Sequence, residues 1–361
     1  MTTALLVVGI LVFLIVAHEL GHFFAAKIFK VKVEEFGVGY PPRAFLIGII
    51  KGTEYTLNWL PFGGFVRLFG EHGETHVRGS FAGAPKYAQA AILIAGVAMN
   101  ALAAWFLFAG ALSAGVPRQI TDRSQIEHAQ LFVNTVVPGS PADAAGIRLG
   151  DELVSVKDEQ GKAADLTPMQ VVTYIGEHGG KPLEVTYLRE ETETTVTLIP
   201  AHAVVAVSAD RPAIGLGLVL VTDDALSFWQ ALKESGPYTV SAFKETVTGL
   251  WTLVRDAAAG EPSLQGIVGP VGLFDYVGNA SRHGLGQVLL LAAFISVNLA
   301  VINLVPIPAL DGGRLFLLGI ETIIRRPPNK LIVQSLNFAG VLAIIFLMVT
   351  VTYNDIARLL A

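Results

Sequence analysis

Ala4–Ala17 reads ALLVVGILVFLIVA, and the next five residues are His18-Glu19-Leu20-Gly21-His22. The apolar run opens a segment, Thr2–Ala26, long enough for a bilayer core, which takes about 20 apolar residues in a helix. Ionisable groups inside such a segment cost on the order of 3 kcal/mol or more when unpaired, so they mark function. On a helix, His18 and His22 share a face, about 6 Å apart along the axis. Two neutral imidazoles so placed can bind one zinc ion, and Glu19 can accept a proton from its water. A leading apolar run also raises the signal-peptide reading. Met1–Ala4 carries no basic residue, however, no small-residue cleavage site is evident, and the run outlasts an h-region.

Composition agrees with a membrane chain. Only 15% of the 361 residues are Asp, Glu, Lys or Arg and 52% are hydrophobic, against about 25% charged in a soluble domain. Yet 25 basic and 30 acidic residues are too many for a chain made only of spans, so part of it lies in water. A net charge of −5 gives no reason to expect a nucleic-acid partner. The absence of cysteine removes disulfides, thiolate ligands and cysteine nucleophiles together.

Three further stretches are long and apolar enough to span: Ala88–Val116, Gln287–Leu310 and Leu331–Asn354. The loop between the first two spans carries Lys27, Lys30, Lys32, Arg43, Lys51, Arg67, Arg78 and Lys86, and the link between the last two carries Arg325, Arg326 and Lys330. Both loops are therefore predicted on the cytosolic side, with both termini and the long stretch from Pro117 to Gly286 outside. Within that outer stretch, Leu131–Val137, the turn-rich Pro138–Val156, Leu183–Leu188 and Thr194–Ile199 predict a small α+β domain over 125–200, with Arg189–Glu193 as a turn. Leu226–Ala258 has helical apolar spacing and is expected to break at Gly236-Pro237 into two amphipathic helices. They lie either on the membrane surface or against the outer domain. On the cytosolic side, Glu54–Leu60 and Phe62–Leu68 flank Pro61 and Gly63-Gly64 and predict strands joined by a turn, with Phe36–Gly39 in the same element.

A catalytic zinc takes three protein ligands and leaves a place for water. The third candidate is Asp311, in Asn303-Leu304-Val305-Pro306-Ile307-Pro308-Ala309-Leu310-Asp311-Gly312-Gly313. Two prolines end the helix there, and broken backbone at membrane depth is tolerated only where protein or a watery cavity surrounds it. As an alternative, Asp311 caps a helix over Arg314–Ile324.

These motifs together resemble the site-2 protease family of intramembrane zinc metalloproteases, in the bacterial branch with a single PDZ domain. The resemblance rests on HELGH in the first span, NLVPIPALDGG in the third, Gly269-Pro270-Val271-Gly272 before it, and Gly139-Ser140-Pro141-Ala142 with Ala145-Gly146-Ile147 and Gly150-Asp151 in the outer domain. It implies a polytopic α-helical membrane protein of four spans, with a cytosolic membrane-associated β-hairpin or sheet and an extracytoplasmic α+β PDZ domain. The segments would be a first helix over 1–29, the β-rich loop over 30–86, a second helix over 87–116 and the PDZ domain over 125–200. A post-PDZ segment over 201–286, a third span over 287–326 and a fourth over 329–355 complete the chain. One Zn2+ would be held by His18, His22 and Asp311, with Glu19 catalytic.

Asn303 matches the Asn of the family motif, either holding substrate or the developing oxyanion or making a helix–helix hydrogen bond. Gly63 and Gly64 would lie on the substrate-binding side, where the sheet either adds substrate as a strand or merely caps the membrane domain. The implied partners are the lipid bilayer and a single-span membrane protein already trimmed by another protease, such as an anti-sigma factor or a signal-peptide remnant. The implied location is the bacterial cytoplasmic (inner) membrane, with the PDZ domain acting as a size filter or binding a new C-terminus. A zinc transporter or a non-proteolytic PDZ scaffold is the competing class. A transporter would show more polar residues along a pathway, and a scaffold leaves Glu19 without a purpose.

Overall fold

The computed structural model describes residues 2–71, 77–120, 129–164, 166–189, 192–202, 211–260, 268–326 and 329–360. The chain forms two compact units, one of residues 1–114 with 226–361 and one of residues 115–225.

Among its described residues, the first unit contains four helices long and apolar enough to cross a membrane. They are α1 (Thr2–Ile28), α2 (Lys86–Ser113), α7 (Leu285–Leu304) and α9 (Lys330–Leu360), each at one of the four apolar stretches of the sequence. The helix α9 is apolar yet almost unburied, with Phe338 at 66% and Phe346 at 73% exposure. In water such a surface would be a large liability, whereas lipid solvates it and leaves the helix to satisfy its own backbone.

The β-rich loop forms two long strands, β1 (Val33–Ile50) and β2 (Thr53–Leu68). Each is divided near its middle, at Pro41-Pro42 and around Pro61, where proline withholds the ladder N–H. The register makes them act as four. Residues 33–38 lie between 53–57 and 64–68, while 43–50 pair with the other edge of 53–58. The expected strands Glu54–Leu60 and Phe62–Leu68 therefore do not form a hairpin with each other; the first half of β1 separates them. Glu35, 4% exposed, anchors the centre of this sheet. It accepts from Thr56 Oγ1 at 2.7 Å, from Arg43 Nη2 at 3.1 Å and from Arg67 Nη2 at 2.7 Å, so its charge is paired rather than stranded.

Helix α5 (Phe228–Ala258) corrects another expectation, because it runs unbroken through Pro237. Proline removes one helical hydrogen bond and disturbs the turn before it. Trp105 Nε1 of α2 donates to the Leu232 carbonyl at 2.9 Å, and Ser235 Oγ donates to the same oxygen at 3.0 Å. Both bonds tie down the turn before Pro237, whose missing N–H would have met the Lys233 carbonyl. The helix packs on α2 and α7, through Ala242 and Phe243 against Ala104, Phe108, Ala293 and Val297. The Gly269–Gly272 motif starts α6 (Pro270–Arg282), where the buried Asp355 of α9 accepts from the Gly272 amide at 2.8 Å.

The second unit holds a six-stranded antiparallel sheet in the order β3-β8-β4-β5-β6-β7. Its strands are β3 (Arg118–Ile120), β4 (Gln130–Val136), β5 (Glu152–Asp158), β6 (Leu183–Arg189), β7 (Thr192–Leu198) and β8 (Leu216–Thr222). Two short helices, α3 (Pro141–Ala144) and α4 (Pro168–Glu177), complete it. The domain expected over 125–200 thus extends at both ends, since β3 and β8 lie beyond those limits yet belong to its sheet. Part of the expected Arg189–Glu193 turn, residues 190–191, lies outside the described residues. Leu131, Val133, Val156, Val171, Val185 and Leu220 form the core.

The loop Gly146–Asp151 is tied down by Arg189. The guanidinium donates to both oxygens of Asp151 at 2.7 Å, and the Arg148 amide adds a third bond at 2.7 Å. Burial pushes the Asp151 carboxyl up, but these bonds hold it below the ordinary carboxylate value. A depressed native value stabilises the fold fully above about pH 4 and loses that stabilisation as pH falls through it. Arg189→Leu leaves an unpaired charge that is 2% exposed, and is expected to cost the second unit about 3 kcal/mol. Thermal melts of the full chain at pH 7 and pH 3 check this, with the variant's deficit shrinking at the lower pH.

Candidate active site

His18 and His22 face α2 from the last third of α1. His22 is 9% exposed, and its Nδ1 donates to the Ile92 carbonyl of α2 at 2.7 Å. A carbonyl can only accept, so the proton is on Nδ1 and Nε2 offers a lone pair. The helices meet closely through small residues. A Cβ on Gly21 would overlap the Ala95 backbone carbonyl, and a Cβ on Gly96 would stand 2.5 Å from His22 Nε2 and 2.7 Å from His18 Cε1. Gly96 therefore makes the room in which both imidazoles sit.

Asp311 arrives from the other end of the sequence. Helix α7 stops at Leu304, and the Val305–Leu310 linker contains both prolines and Ala309 at φ +79°. Then α8 (Asp311–Ile324) begins, with Leu310 as its N-cap. A Cβ on Gly312 or Gly313 would collide with the Leu304 or Ile307 backbone, which is why this turn takes Gly-Gly. The carboxylate of Asp311 does not cap α8. It points at the histidines, 3.0 Å from His18 Nε2 and 3.3 Å from His22 Nε2 through Oδ2. Arg314, one turn on, pairs with Glu71 just beyond β2.

His18 Nε2 and His22 Nε2 are themselves 3.0 Å apart, so three ligand atoms converge on one point. In a tetrahedral zinc centre with bonds of about 2.0–2.1 Å, neighbouring ligand atoms stand about 3.3 Å apart. The triangle matches one face of such a tetrahedron and leaves the fourth corner for water. Two imidazoles and one carboxylate are also the donor set of a hydrolytic zinc.

Glu19 stands beside this triangle without belonging to it. Its carboxylate lies near the Val66 backbone of β2, and its Cγ lies against Gly64, where an added Cβ would stand 3.4 Å away. The neighbouring Gly63 packs on the Tyr40 ring. Burial first, and the Glu19 charge second, push the Tyr40 phenol above its ordinary value. Of the two glycines, Gly64 is thus the one beside Glu19. Asn303 is half-buried in the last turn of α7, and no hydrogen bond joins it to His18, Glu19, His22 or Asp311. The Ile92 carbonyl and Gly96 had no sequence signal, because a backbone group and a glycine in an apolar span look like packing.

The family model for peptidase family M50 matches residues 6–347. A Clostridium perfringens protein provisionally named a zinc metalloprotease is 34% identical over 95% of each chain. Zinc metalloprotease RasP of Geobacillus kaustophilus is 27% identical over 98% of this chain and 97% of its own. A solved PDZ domain from Listeria monocytogenes aligns with 24% of the chain and 85% of its own length at 18% identity and a TM-score of 0.21, too low to assign a fold. Matched nearly end to end, the chain belongs to peptidase family M50, the site-2 protease family.

Proposed function

We propose that this membrane protein hydrolyses peptide bonds within the bilayer, with His18, His22 and Asp311 holding one zinc ion and Glu19 as general base. The observation that carries this is the convergence of Nε2, Nε2 and Oδ2 within 3.0–3.3 Å, next to a carboxylate that is not part of the triangle. Bound zinc supplies an acidified water and polarises the scissile carbonyl. Glu19, beside the Val66 backbone, takes the water's proton and returns it to the leaving nitrogen. His22 is held in the ligand tautomer by Ile92, so little reorganisation remains at the moment of reaction.

A substrate helix hides its carbonyls, so it must be opened before attack. The segment 64–68 of β2 forms an outer strand of the four-segment sheet and touches Glu19 through Val66. Substrate added along this edge would present its backbone to the site in extended form, passing Gly63 and Gly64, where no side chain obstructs it. Asn303 would contact the same segment. The substrate class is a single-span membrane protein, already trimmed outside. The basic loops face the cytosol, and the outer unit, a PDZ-type domain, screens the trimmed end.

Purified full-length protein in liposomes is expected to cut a single-span substrate, to stop on addition of a zinc chelator and to resume when zinc is restored. Cleavage that persists in chelator would overturn the metal-dependent reading.

A further inference from the structure

Beside the ligand triangle, one buried polar atom lacks a partner. Asn100, 1% exposed in the middle of α2, has a side-chain oxygen with no hydrogen bond. The nitrogen of the same carboxamide lies 3.4 Å from His18 Nδ1. The surrounding backbone is fixed. Ser296 Oγ of α7 donates to the Asn100 carbonyl at 2.8 Å, and Gly96, one turn earlier, lies against both imidazoles.

The His18 ring decides which end of the amide should face it. Its Nε2 belongs to the triangle, 3.0 Å from Asp311 Oδ2 and from His22 Nε2. A nitrogen that serves as a ligand there carries a lone pair, which puts the proton on Nδ1. An Nδ1–H facing an amide NH2 sets donor against donor. The two ends of a carboxamide have nearly the same shape, so a half-turn about its last bond exchanges them without disturbing the packing.

We propose that Asn100 is a positioning residue whose side-chain oxygen accepts the His18 Nδ1 proton. It would be the counterpart, on the same face of α2, of the Ile92 carbonyl that serves His22. One helix then fixes the tautomer and aim of both histidines from either side of Gly96. This inference rests on the metal-site reading above. Outer partners of ligating histidines raise ligand basicity and hold the ring, and their loss typically weakens metal affinity about 10–100-fold.

The test is zinc affinity of the purified full chain by competition with a chromophoric chelator, with the cobalt-loaded visible spectrum as a second readout. Asn100→Leu keeps the branched shape and removes the acceptor, whereas Asn100→Asp keeps the acceptor. Asn100→Leu is expected to bind zinc about 10–100-fold more weakly and to change the cobalt spectrum, while Asn100→Asp binds at least as tightly as wild type. Wild-type affinity in Asn100→Leu overturns the proposal. If the leucine variant does not fold, Asn100→Asp decides alone, and binding tenfold or more below wild type overturns the role. Asp311→Ala separates the two readings. Wild-type affinity there overturns the ligand set and the Asn100 role with it, whereas weak binding there with unchanged Asn100→Leu overturns the Asn100 role alone.

Discussion

Glu19→Gln is expected to keep its zinc and to cut a single-span membrane substrate about 10²–10⁴-fold more slowly than wild type. The substitution changes almost no volume, and the carboxamide keeps an acceptor oxygen. Zinc affinity should hardly move, because the three convergent ligand atoms belong to His18, His22 and Asp311. What the amide cannot do is take a proton from water and return it to the leaving nitrogen. Initial rates in liposomes, measured beside zinc content, separate loss of base from loss of metal. An unchanged rate would remove Glu19 from the chemistry, while zinc loss alongside the rate loss would make it a ligand or a structural support.

Asp311→Ala is expected to do the reverse, removing metal and chemistry together. Two imidazoles remain, 3.0 Å apart, and a bidentate site lacks the third donor and the negative charge that a hydrolytic zinc uses. The fall in zinc affinity should exceed the 10–100-fold typical of losing an outer partner, with cleavage at background. Helix α8 itself should survive, since Leu310 and not Asp311 is its N-cap. Retained zinc in this variant would leave Asp311 as only a polar neighbour of His18.

How far the sequence could be read depended on whether the signal was local. His18 and His22 are an i, i+4 pair, and helical geometry alone puts them on one face. Asp311 is 293 residues from His18, and was legible because an acid between two prolines and Gly-Gly at the end of an apolar stretch is costly without a role. Asn100 left a weaker mark: an amide amid the apolar residues of a span without charge, where a helix–helix hydrogen bond is the ordinary explanation. The pairing of β1 with β2 could not be read, because register is set by partners across the fold rather than by each strand's own pattern.

Proline was read too strongly at Gly236-Pro237. Its local cost is real, but α5 packs on α2 and α7, with Trp105, more than a hundred residues away, bonded to the Leu232 carbonyl, and only the tertiary structure contains those contacts. Helix α4 was missed although its start was written in the chain. Thr167 caps it by accepting from the Gln170 amide, and Pro168 occupies the first turn, a local signal of helix initiation. The strand β8 was set apart from its sheet by the intervening residues, although Leu216–Thr222 pairs with β4 over most of its length.

The central claim, hydrolysis at membrane depth by the His18–His22–Asp311 site with Glu19 as base, is tested most directly by mass spectrometry of the products. A single-span substrate is reconstituted with the zinc-loaded full-length protein and the cleaved bond is mapped. The expected result is a cut inside the substrate's apolar segment, present with wild type and missing with Glu19→Gln. A cut confined to the water-exposed parts of the substrate, or the same apolar cut made by Glu19→Gln, would contradict it.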